Sequence, residues 1–175
     1  QKALGVALLQ RMMPNWCLFC QVTEFADDKK FVNGLESLWR NLASKSEKVN
    51  LNALLERVEE HVPEPHGYDM FGVYPAIDTA MAFSALINFF QSEDVHYLIS
   101  VSKLSQASVE SLIQLQDDAP EDGDYWSHEL MQNEIHVQNV LIDALEGSKP
   151  GEQTLVTIKG ILEEEGCSNI GVVLD

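Results

Sequence analysis

Several short patterns in this chain bring together residue types that do chemistry. Cys17 and Cys20, in CLFC, form a C-x-x-C just past Pro14, and a thiol near a helix N-terminus gives up its proton more readily, as redox cysteines must. Glu93 and His96 have the E-x-x-H spacing of helical di-iron sites. Ser100 to Lys103, SVSK, matches S-x-x-K, in which a lysine one turn on activates a serine. Asp69, Tyr74 and Asp78 punctuate the largely apolar stretch DMFGVYPAIDTAMAFSALINFF, residues 69–90.

Each pattern has a structural reading to set beside the chemical one. Trp16, Leu18 and Phe19 surround the two cysteines with apolar side chains, no βαβ pattern accompanies them, and no second Cys pair completes a zinc site. Two buried thiols packed as small hydrophobes are the expectation, so both should be unreactive in the folded chain. A di-iron site needs two E-x-x-H pairs and two further glutamates, and Glu93/His96 is a single pair. His128 and His136 share a helix face, but eight residues of helix separate them by about 12 Å, too far for one ion held at about 2 Å. No bound metal and no cofactor are expected. The S-D-N and K-T-G partners of S-x-x-K are absent, as are G-x-S-x-G, Walker and dinucleotide motifs. Ser102, Ser105, Ser108 and Ser111 instead form an i+3 row whose small side chains let another helix come close.

The elements that must position these residues are helical. Apolar residues recur at i, i+3, i+4 spacing, as in Phe31, Leu35, Leu38, Leu42 and in Leu51, Leu54, Leu55, Val58, Val62. The spacing predicts helices over 1–13, 14–24, 28–44, 51–62, 75–91, 93–116, 125–146 and 150–165: seven if Pro14 kinks the first pair, eight if it breaks it. Pro14 and Pro75 suit first turns, Asp27, Asn50 and Asp124 suit N-caps, and Gly147 and Gly166 suit C-terminal stops. PEPHGYDMFG, residues 63–72, must be loop, and the acidic run DDAPEDGD, residues 117–124, reads as a solvated, mobile connection. SNIGVVLD at the end reads as an extended tail.

The helix expected at 75–91 is apolar around its circumference, which places it in the middle of a bundle. Asp78 would then fall in its first turn, where free N–H groups and the helix dipole favour a carboxylate by ~0.3 to 1 kcal/mol, so as a cap alone Asp78→Asn should cost no more than that. Burial against a partner such as Tyr74 or an Arg would make the cost several times larger, and a gain in stability would point to a functional position. Tyr74 would anchor the entering loop. A cleft where loop 63–74 meets this helix, using Asp69, Tyr74 and Asp78, is the candidate ligand site.

Charge bounds the partners. The net charge is −17, but residues 1–57 carry +2 and residues 58–175 carry −19. A chain this acidic lacks the clustered Lys and Arg that displace counterions from a phosphate backbone, so direct nucleic-acid binding is not expected. A basic protein surface is the partner class that such a field favours, and a solvated face serving only solubility is the bland alternative. Three cysteines, an odd number without a secretory signal, fit a reducing compartment. No window approaches the ~20 apolar residues of a membrane span, so no membrane partner is expected. The first residues, QKALGVALLQRMM, already read as helix interior, so the native chain is expected to begin further upstream.

Taken together, MMPNWCLFCQVTEF (12–25), KVNLNALLERVEE (48–60), YDMFGVYPAIDTAMAFSAL (68–86), VSK (101–103) and SNIGVVL (168–174) resemble the YjaG-like family of bacterial proteins, a domain family of unknown function. The resemblance spans almost the whole chain. It implies an all-helical single domain in a bacterial cytoplasm, with a short N-terminal helical segment missing here, and carries no activity with it. The compressed acidic region at 117–124 and Cys17 depart from the family pattern.

The sequence thus leads to an all-α, single-domain bundle over residues 1–175, built around a buried central helix with a short extended C-terminal tail. The expected role is a non-catalytic interaction or regulatory module presenting an acidic face. The alternative is an enzyme or small-ligand binder at loop 63–74.

Overall fold

The computed structural model describes residues 1–44, 46–116, 119, 123–149 and 151–174. Among these residues are seven α-helices and no strand: α1 Lys2–Thr23, α2 Lys29–Ala43, α3 Leu51–Glu59, α4 Val73–Ser92, α5 Val95–Ile113, α6 Glu129–Glu146 and α7 Glu152–Glu165. Short 3-10 turns at Pro65–Gly67 and Tyr125–Ser127 lie in the connections. Most of the acidic run 117–124 lies outside the described residues.

Pro14 sits inside α1, which runs through it. An interior proline costs a helix ~3 kcal/mol. What offsets it is burial, because α1 packs against α2, α4, α5, α6 and α7 and buries Leu8, Leu9, Met12, Trp16 and Phe19. The middle of the bundle is therefore α1 beside α4. Gly5 allows the two to approach closely: a Cβ there would lie 2.5 Å from the Cδ1 of Leu86.

The helix ends follow the chain's capping residues only in part. Asn50 caps α3, its side chain accepting from the Ala53 N–H at 3.1 Å. Asp28 rather than Asp27 occupies the cap of α2, although the Asp27 carboxylate accepts from the Lys29 N–H. Asp124 precedes the 3-10 turn, and α6 begins one turn later with the His128 ring accepting from the Leu130 N–H. Gly166 ends α7 in the left-handed region at φ 64°.

Two expectations about the central apolar helix change. Val73–Ser92 has the length and composition to cross a membrane, contrary to the expectation that no window comes close. In the fold it packs against α1, α3 and α5. Nor is it covered on every side, since Met81 and Tyr74 are about half exposed.

Candidate functional site

The helix that carries Asp78 begins at Val73, two residues before the expected start, so Asp78 lies in its second turn. There the backbone N–H groups are already bonded within the helix, and capping no longer explains the carboxylate. Its partner is on α5: the Ser108 hydroxyl donates to Asp78 Oδ2 at 2.8 Å. Burial pushes the Asp78 carboxyl up to about 6, against a smaller opposing effect of the Ser108 hydrogen bond. Asp69 is exposed on the loop, and Tyr74 points outward at 52% exposure. Among the described residues, no hydrogen bond or ion pair joins Asp69, Tyr74 and Asp78. The loop is anchored instead by Tyr68, whose ring packs edge-on against Phe19 at 4.9 Å and Phe25 at 6.2 Å.

The serine row on α5 does more than make room. Ser102, Ser105 and Ser108 each donate to a polar side chain on a neighbouring helix: Gln138, Glu134 and Asp78, at 2.6, 2.6 and 2.8 Å. Ser105 belongs to a network that the sequence reading missed. Arg11 on α1 pairs with Glu134 on α6, both almost wholly buried, and its second terminal nitrogen lies 3.6 Å from Glu165. The other Glu134 oxygen accepts from Ser105 and from Gln138 at 2.7 Å. A signal for this pair was present: Met131, Glu134, Val137, Gln138 and Leu141 form one i, i+3, i+4 stripe, with Glu134 in a core register. Arg11, likewise, is the one charged residue between Lys2 and Glu24.

Beside the ion pair runs a chain of amides. Asn169 in the C-terminal segment donates to the Ser105 carbonyl at 2.8 Å and accepts from the Asn15 Nδ2 at 2.8 Å. A buried carboxylate and guanidinium need their lone pairs and N–H groups met; the Glu134 carboxylate accepts from Arg11, Ser105 and Gln138, while the Arg11 Nε is buried without a partner. Largely buried, with Glu165 at its exposed edge, the network ties α1, α5, α6 and the tail into one register. Such a network fixes how these elements pack against one another.

Cys17 and Cys20 are buried, with thiol pKa values pushed up to about 11 and about 12, chiefly by burial. Neither is poised as a thiolate nucleophile. Glu93 pairs with Lys2 at 2.7 Å while the His96 ring faces Asp94 at 2.8 Å, so the E-x-x-H residues are drawn to different partners. Among the described residues, no three His, Cys, Asp or Glu side chains converge as metal ligands would.

Two of the concavities among the described residues lie near groups considered above. A cleft of about 510 Å³ lies between α1, α2, α7 and the C-terminal segment, lined by Arg11, Pro14, Leu35, Trp39, Lys159 and Cys167 among others. A second, of about 350 Å³, opens where loop residues Met70, Phe71 and Gly72 and Pro75 face Leu18, Phe19 and Val22 of α1. Asn15, Leu112, Ile170 and Val172 complete its lining, and no charged residue contributes to it. This groove occupies the place where the sequence put a candidate site, but with apolar walls in place of Asp69, Tyr74 and Asp78.

The sequence profile of a family described as "Protein of unknown function (DUF416)" matches residues 1–173. "Uncharacterized protein YjaG" of Salmonella typhimurium is 35% identical over 171 residues, covering 94% of this chain and 86% of that protein. Its namesake in Escherichia coli K12 is 33% identical, covering 95% and 86%. The crystal structure of a DUF416 family protein from Shewanella baltica OS155 superposes with a TM-score of 0.89 at 33% identity, over 99% of this chain and 92% of that one. With the same helical fold and a match along nearly its whole length, this chain belongs to the DUF416 family, alongside the YjaG proteins.

Proposed function

We propose that the protein is a non-catalytic interaction module of the bacterial cytoplasm, presenting an acidic surface to a basic protein surface. The observation that carries this reading is the α6–α7 pair. These helices pack on each other and expose Glu129, Asp143, Glu146, Glu152, Glu163 and Glu164. Lys149 and Lys159 are the basic residues of the same stretch, and Lys159 lies over the Trp39 ring at 5.1 Å, drawn toward α2. An uncompensated field of this kind speeds encounter with a cationic partner and weakens in salt.

The test is capture on the native protein and on a variant with Glu146, Glu152, Glu163 and Glu164 changed to Gln. A basic partner should bind the native protein at low salt, release at high salt and fail to bind the variant.

A second reading, binding of a small ligand, is favoured by one observation. The groove at loop 63–74 is open, apolar and partly walled by side chains with substantial exposure, Leu18 at 41% and Val22 at 61%. Concave apolar sites with few polar groups are the usual form of small-molecule pockets.

A further inference from the structure

We infer that the groove between loop 63–74, α1 and the C-terminal segment binds a small, neutral, ring-containing molecule with one N–H or O–H donor, which the side-chain carbonyl of Asn15 receives. The inference rests on the second reading above and adds the class of ligand and the residue that reads it.

Asn15 lines the groove and is only 4% exposed. Its side-chain orientation is fixed by a relay. The Ser105 carbonyl can only accept, so the Asn169 amide must turn its Nδ2 toward it. That leaves Asn169 Oδ1 facing Asn15, which must answer with its own Nδ2. The Asn15 Oδ1 is therefore the free end, and it is buried with no hydrogen-bond partner. An amide carbonyl so placed is an acceptor that lacks a donor, and buried acceptors are rarely left unmet.

The rest of the lining sets the ligand's other properties. Because no Asp, Glu, Lys or Arg contributes to the walls, a charged ligand would lose its hydration without gaining a counter-charge, so the ligand is neutral. Phe71, half-buried at the rim, offers aromatic surface, which meets another ring edge-on or offset-stacked. A volume of about 350 Å³ is at the small end of ligand pockets, enough for a one- or two-ring compound. One unmet acceptor calls for one donor.

Indole and 1-methylindole are suitable probes, nearly equal in shape and differing in the single N–H. Each is titrated into the native protein and followed by NMR, at the methyl groups of Leu18, Val22, Leu112 and Ile170 and at the side-chain amide of Asn15. Indole should shift this set, and 1-methylindole should bind about ten-fold more weakly, the loss expected when a buried acceptor goes unmet. If both compounds shift the groove methyls with equal affinity, the assignment to Asn15 is wrong while the groove stands as a ligand site. If neither shifts them at millimolar concentration, or the shifts map elsewhere, both the assignment and the ligand-binding reading fall.

Discussion

Replacing Asp78 by Asn should stabilise this protein at neutral pH. The carboxylate sits in the second turn of α4 with the Ser108 hydroxyl as its hydrogen-bond partner, and burial raises its pKa from 3.8 to about 6. A carboxyl with a raised folded-state pKa holds its proton more tightly when folded, so its contribution is greatest below pH ~4. That contribution is lost as pH rises toward ~6, and above this it is constant. At about 1.4 kcal/mol per pKa unit the full shift corresponds to about 3 kcal/mol, and partial exposure brings the working figure to about 2. Asn keeps an oxygen for Ser108 and removes the charge, so Asp78→Asn should gain about 2 kcal/mol at pH ~7.5 and almost nothing at pH ~4. In a chain of this size that is a rise in Tm of about 4 to 8 °C at the higher pH. Urea denaturation of parent and variant at both pH values measures it. A loss of stability at pH ~7.5, or a difference between the two proteins that does not change with pH, would refute the reasoning.

Thiol labelling without denaturant at neutral pH should modify Cys167 alone, because Cys17 and Cys20 are buried and hold their protons; rapid reaction of either contradicts this. Arg11→Met should cost about 3 to 5 kcal/mol by leaving Glu134 buried and uncompensated. The double variant Arg11→Met, Glu134→Leu should recover much of that loss, and a double-mutant cycle from denaturation curves reads the coupling. Additive losses would show that the pair does not act as a unit.

The helical fold was legible because amphipathic stripes such as Phe31, Leu35, Leu38 and Leu42 repeat at a period that only a helix matches. Pro14 was ambiguous for a physical reason: whether a proline breaks a helix depends on how much the surrounding helices bury, which local pattern does not contain. The start of α4 was misplaced by reading Pro75 as a first-turn residue, whereas Val73 and Tyr74 already belong to the helix. That two-residue error moved Asp78 from a capping position to a half-buried one beside Ser108 and changed the sign expected for its substitution. Arg11 and Glu134 are far apart in sequence, and nothing local joins them; the core register of Glu134 and the apolar surroundings of Arg11 were the signals that either is buried. Asn15 gave no signal at all. Its unmet carbonyl results from a relay through Asn169 and Ser105, and no spacing rule joins those positions.

The acidic surface is the centre of this account, and salt-resolved capture from a bacterial lysate tests it most directly. Native protein and the variant with Glu146, Glu152, Glu163 and Glu164 changed to Gln are immobilised at equal density, washed at low and at high salt, and the retained proteins identified. The account predicts a basic protein held by the native surface at low salt, released at high salt, and absent from the variant under both conditions. A partner retained equally by both proteins, or no salt-sensitive partner at all, would contradict it.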